Sequence, residues 1–190
     1  MSKSAIAIAS TIVYLIAPVS NAQETSRAYE HLKELEVFIG DWEGKMTVPE
    51  GARPSESRGE VAGRQVALSE TVRWAPGKCG QVIDYKWHME GQPPILAVSL
   101  LGWDQGRKQI VSNDYTTETG TWSGTWKKED GKWTCTYQGL NLDGTKCSGK
   151  RVYAFSDEDH YVMRDVSRIE AGAKQPDLRF EYSRKPKAQR

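Results

Sequence analysis

Residues 38–45 read FIGDWEGK, and the patterning of the chain changes on either side of them. Upstream, SRAYEHLKELEV (residues 26–37) places Leu32 and Leu35, with Tyr29 and Ala28 beside them, on one helical face, and Ser26 stands in N-cap position. Downstream of Gly40 the period shortens to two. Alternating segments follow one another, divided by turn chemistry: Pro-Gly at 76–77, Glu-Gly-Gln-Pro-Pro at 90–94, Asp-Gln-Gly at 104–106, Glu-Asp-Gly-Lys at 129–132 and Asp-Gly at 143–144. This predicts strands near 40–48, 60–74, 80–90, 94–103, 107–115, 119–128, 131–139, 145–156, 159–169 and 177–184. Residues 49–59, PEGARPSESRG, read as a mobile loop.

Ten successive strands joined by hairpin-length links form an antiparallel meander, which exposes two long edges unless it closes on itself. The expected fold is therefore all-β: a single up-and-down barrel of about ten strands behind a short N-terminal helix. A flat sandwich fits less well, because the strands run long and no connection has Greek-key length. Eight strands nearly fill a barrel with their own side chains, so about ten leave a modest internal cavity.

The first residues stand outside this argument. Lys3, the apolar run from Ala5 to Val19 and the Ser20-Asn21-Ala22 ending have the order of a secretory signal peptide. The run is too short for a membrane span of ~20 residues. Residues 1–22 are thus expected to be removed, leaving residues 23–190 as one periplasmic or extracellular domain without membrane insertion. Removal takes Lys3 and no acid from the 26 basic and 25 acidic residues, so the remainder carries no net charge. Nucleic-acid binding rests on clustered cations and is not expected. Export permits disulfides, but Cys79, Cys135 and Cys147 allow one intramolecular bridge at most and do not reveal which pair would form it. The Asp143-Gly144 turn sets Cys135 nearer Val152 than Cys147. No Cys/His spacing suits zinc, and no cofactor is expected.

The helix followed by Gly40-x-Trp42-x-Gly44 at the head of a meander resembles the calycin group: lipocalins, fatty-acid-binding proteins and nitrobindin-type barrels. The chain also resembles a bacterial family of secreted domains of unknown function that share this opening, a mid-chain Gly102-Trp103-Asp104 and later Asp-Gly hairpins. The resemblance implies that Trp42 plugs the closed end beneath the helix and packs against a late cation, Arg179 or Arg184. Gly40, Trp42 and Gly44 are accordingly structural residues.

Two stripes suggest a binding wall. In GTWSGTW, Gly120, Trp122, Gly124 and Trp126 share a face, and Thr119, Thr121, Ser123 and Thr125 share the other. The indole–glycine–indole order leaves a gap for a flat apolar ligand or a neighbouring ring. Ile83, Tyr85, Trp87 and Met89 make a second such stripe. Tyr85, Trp87, Trp122 and Trp126 are the candidate cavity wall, and Arg164 is the candidate polar anchor. Asp157, Glu158, Asp159 and His160 read as a solvated turn, and a haem ligand at His160 is disfavoured by that position. Neither Gly-x-Ser-x-Gly nor His-Glu-x-x-His occurs. The expected function is to bind a small, mostly apolar molecule. The alternatives are a cavity-based isomerase or cyclase, using Arg164, Asp84 or Lys86, and an envelope-associated interaction module.

Overall fold

The computed structural model describes residues 26–52, 62–117 and 120–186. The expected signal peptide, residues 53–59 of the expected mobile loop, and Thr119 lie outside the described residues. A short helix, α1 (Tyr29–Leu32), runs into a 3-10 segment (Lys33–Phe38) and is followed by eleven strands. These are β1 (Gly40–Thr47), β2 (Gln65–Trp74), β3 (Gly80–Met89), β4 (Ile95–Asp104), β5 (Gln109–Thr116), β6 (Thr121–Glu129), β7 (Lys132–Leu140), β8 (Lys146–Phe155), β9 (His160–Glu170), β10 (Ala173–Lys174) and β11 (Leu178–Arg184). Each of β1 to β9 pairs antiparallel with the next, and β11 lies between β9 and β1, closing a ten-stranded barrel. The two-residue β10 is an appendage folded back on the end of β9.

The turns follow from residue type. At the β6–β7 hairpin Asp130 and Gly131 both take positive φ, the combination a two-residue turn between twisted strands requires. At the β4–β5 turn, Asp104 Oδ1 accepts from Gly106 N–H (2.9 Å) and Arg107 N–H (3.0 Å). Cys135 pairs with Arg151, one residue from the expected register. No disulfide forms: Cys79 is exposed, Cys147 half-buried and Cys135 buried, and all three are free thiols.

The leading helix differs from expectation. Ser26 is not its N-cap; its amide and hydroxyl instead donate to Gly77 O (2.8 Å) and Lys78 O (3.3 Å), tying the chain to the β2–β3 turn. The second half is 3-10 for a reason visible in the buried set. Leu32, Leu35 and Phe38 recur every three residues, and three residues per turn stacks them along one edge. They close one end of the barrel. Phe38 meets Trp126, Tyr153, Phe155 and Tyr161 edge-on, with ring centroids 5.1–6.1 Å apart.

The glycines of FIGDWEGK make room for β11. In the β1–β11 register Trp42 faces Arg184 and Gly44 faces Tyr182. Trp42 is fully buried, its Nε1 donates to Phe38 O (2.8 Å), and the Arg184 guanidinium lies 4.1 Å above its ring. Arg184 also donates to the carbonyls of Val37 (3.1 Å) and Ile39. Gln81 Nε2 donates to Leu35 O (2.9 Å). Side chains from β1, β3 and β11 thus satisfy carbonyls that a helix end leaves orphaned. A Cβ at Gly40 (φ +137°) would collide with Arg184, and one at Gly44 would sit 2.7 Å from the Tyr182 ring. Arg184, not Arg179, is the late cation; Arg179 is exposed and pairs with Glu181.

Candidate functional site

Inward-facing positions divide the barrel into two layers. The layer beneath the helix is apolar and aromatic. Toward the opposite end, the same parity that delivers Val66, Leu68 and Val72 also delivers Glu70 on β2. On β5 it delivers Asp114 after Ile110 and Ser112, on β8 Arg151 before Tyr153, and on β9 Asp165 after Tyr161 and Met163. Glu70, Asp114 and Arg151 are only 8%, 6% and 7% exposed.

These groups form one network. Arg151 Nη1 lies 3.6 Å from Asp114 Oδ2, and its Nε lies 3.9 Å from Asp165 Oδ2. Its guanidinium also lies over the rings of Tyr137 (4.8 Å) and Trp122 (5.1 Å), which stack on each other. Tyr137 Oη donates to Asp165 (3.1 Å), and Arg168 reaches the same carboxylate at 3.9 Å. Tyr161 Oη donates to Glu70 Oε2 (3.0 Å), and the Tyr182 hydroxyl bonds to the same carboxyl. Burial pushes the Glu70 carboxyl up to about 7, although the bonds from Tyr182 and Tyr161 and the charge of Arg151 pull the other way. Burial likewise raises Asp165 against Arg151 and Arg168. Burial pushes the Cys135 thiol up to about 12, so it is an inert core group.

A cavity of about 30 Å³ lies within this layer, roughly enough for one or two water-sized groups. Glu70, Asp114 and Arg151 line it together with Tyr85, Trp87, Trp122, Tyr153 and Tyr182. Trp87, Ala97, Thr116 and Trp122, near the strand ends away from the helix, are its half-buried rim. Three polar atoms on its lining are buried without a hydrogen-bond partner: Asp114 Oδ1, Trp87 Nε1 and Trp122 Nε1. Two broader troughs, about 790 and 710 Å³, cross the outside of β5–β8 among Asn113, Ser123, Gln138 and Ser148. Among the described residues no His, Cys, Asp and Glu side chains cluster as a metal site would need.

The expected wall residues separate. Tyr85, Trp87 and Trp122 line the cavity. Trp126 does not; it belongs to the helix-side layer, stacked on Tyr153 at 5.1 Å. The gap expected at Gly124 is occupied across the sheet, because a Cβ there would lie 2.5 Å from Cys135 Sγ and 2.8 Å from Ser112 Oγ. Arg164 is exposed on the outer face, since inward parity on β9 falls on Met163 and Asp165. The buried cation is Arg151, whose neighbour Val152 pairs with Arg164. Asp84 and Lys86 are exposed as well, and Asp84 pairs with Arg73 at 3.5 Å. His160 sits at the exposed β8–β9 turn beside Asp157 (2.9 Å). Charged residues at otherwise apolar parity were the available signal for Glu70, Asp114, Arg151 and Asp165.

The sequence matches no protein-family model and no curated protein.

Proposed function

We propose that this barrel binds a small, mostly apolar molecule at the end of its interior remote from the helix, with a polar group directed inward. The observation that carries this reading is the set of buried, unpartnered polar atoms, Asp114 Oδ1, Trp87 Nε1 and Trp122 Nε1, on an aromatic-walled cavity. Native structures pair nearly all such groups, so each exception calls for a partner, and small-molecule pockets are mostly apolar with a few placed polar groups. The cavity is of head-group size, and a longer apolar body would lie toward the half-buried rim of Trp87 and Trp122. A hydrophobic fluorophore or a fatty acid should quench tryptophan emission saturably. Burying an aromatic contact is worth ~1.5–3 kcal/mol, so Trp122→Ala should weaken binding at least tenfold while the fold persists. Absence of saturable quenching by every probe would remove the reading.

A second reading draws on Glu70 itself. A buried carboxyl raised to about 7 and bonded to two tyrosines on a cavity wall suits proton transfer. A small-molecule isomerase or cyclase would use it so, and turnover lost in Glu70→Gln is its signature. We also propose that residues 1–22 act as a signal peptide that directs the protein out of the cytoplasm. An intact mass beginning at Gln23 tests that placement, and full-length chain in the membrane fraction would overturn it.

A further inference from the structure

Resting on the ligand-binding reading, we infer that the interior site selects an organic cation, a protonated amine carried on an apolar body, whose ammonium group is held by Asp114 and Glu70 inside a ring of aromatic faces.

The charge inventory leads there. The polar layer holds three carboxyls, Glu70, Asp114 and Asp165, against Arg151, with Arg168 at the edge. Arg168 and the Tyr137 hydroxyl both engage Asp165. Among the described residues Arg151 is then the one cation set between Asp114 and Glu70, and it is also engaged with the stacked Trp122 and Tyr137 rings. When Glu70 is ionised, one negative charge therefore remains unbalanced on the cavity wall, and a ligand carboxylate brought there would meet two carboxyls for one guanidinium. An ammonium group would meet the reverse.

The atoms on offer agree with the charge. Asp114, almost fully buried, lines the cavity, and its Oδ1 has no protein donor. Trp87, Trp122, Tyr85 and Tyr182 line the cavity around it, and desolvated cations are held well by aromatic surroundings. The indole N–H groups of Trp87 and Trp122 are also unpartnered and suit a neutral oxygen acceptor on the same ligand. The cavity's 30 Å³ matches a head group of this size.

A pH signature follows. The groups facing Glu70 are the Tyr161 and Tyr182 hydroxyls from β9 and β11, Arg151 and Tyr153 from β8, Tyr85 from β3, and Asp114 across the cavity from β5. The tyrosines and Arg151 keep one charge state around neutrality, so Glu70, poised near 7, is the group that changes. A bound cation favours its ionised form. Affinity for the amine should therefore rise about tenfold from pH 6 to pH 8, as the free site loses its proton.

The test compares hexylamine, 1-hexanol and hexanoate by calorimetry and tryptophan quenching on the parent protein, Glu70→Gln and Asp114→Asn, with melting curves to establish folding. The expected result is hexylamine at least tenfold tighter than hexanol, hexanoate weakest, and the amine preference reduced in both variants. The pH effect should vanish in Glu70→Gln and be absent for hexanol. Hexanoate as the tightest ligand would overturn the inference and make Arg151 the anchor, leaving the binding reading intact. Equal affinities for amine and alcohol, unmoved by Glu70→Gln, would also overturn it alone. If none of the three binds, both readings fall. If Asp114→Asn does not fold, Glu70→Gln, which removes a buried acid, decides the matter.

Discussion

Replacing Trp42 by alanine empties the best-buried aromatic position in the barrel, and several independent contacts go with it. The side chain is 0% exposed, with Tyr161 edge-on at 4.8 Å and Phe155 at 6.1 Å, both held by neighbours that leave little room to collapse. Truncating a buried Trp costs about 3–5 kcal/mol. The upper end is expected here. Phe38 O loses its donor, worth about 1 kcal/mol, and Arg184 loses the ring beneath it, worth ~0.5–2 kcal/mol. Against a total stability of about 5–15 kcal/mol, a loss near 5 kcal/mol leaves a marginal fold. At about 2–4 °C per kcal/mol for a chain of this size, Tm should fall by about 10–20 °C. Trp42→Phe, which keeps a ring but not the N–H, should lie between the two. A double-mutant cycle with Arg184→Met should return a coupling of ~0.5–2 kcal/mol. Thermal unfolding followed by circular dichroism reads the parent and all four variants. A Trp42→Ala protein melting within about 3 °C of the parent, roughly 1 kcal/mol, would show that the plug does not hold this end closed.

Glu70 makes stability pH-dependent. Its folded value is raised from 4.5 to about 7, so the folded state binds the extra proton, and stability falls as pH rises from 4.5 through 7. At about 1.4 kcal/mol per pH unit this amounts to about 3 kcal/mol. Urea unfolding at pH 5 and pH 8 should show it, and Glu70→Gln should flatten the difference; an unchanged slope would mean the carboxyl is solvated. Arg151→Met strands Asp114 without its cation and leaves Asp165 with Arg168 alone, and should cost about 3–5 kcal/mol at pH 7. Part of that loss should return at lower pH as Asp165, already raised by burial, takes up a proton, so a variant as stable as the parent throughout would refute the ion network. Gly44→Ala brings a methyl to 2.7 Å from Tyr182, a ring stacked on Tyr161 at 4.6 Å and bonded to Glu70. The ring has no room to give way, so about 1–3 kcal/mol should be lost; a neutral outcome would place Tyr182 elsewhere.

The barrel was legible in the sequence because its signals are local. Period-two alternation and Gly, Asp and Pro at the turns reveal each strand and each hairpin from neighbouring residues alone. A meander of about ten such strands has one economical way to hide its edges. Trp42 was legible for the same reason, as a single large apolar residue at the junction of two patterns, whereas its partners were only narrowed to Arg179 or Arg184. The choice fell to the β1–β11 register, which joins the two ends of the barrel. The site was less legible. Parity puts Trp122 and Trp126 on one face, but only closure of the sheet decides that Trp126 packs beneath Phe38 while Trp122 joins the cavity. Arg164 and Arg151 illustrate the same limit: each sits in an alternating strand, and a one-residue difference in phase sends one to solvent and the other to the core. Whether Glu70, Asp114 and Arg151, on three strands far apart in sequence, meet around one small space depends on strand number, stagger and turn lengths together. Local residue preferences determine the elements, and long-range pairing alone determines which buried charges share a cavity.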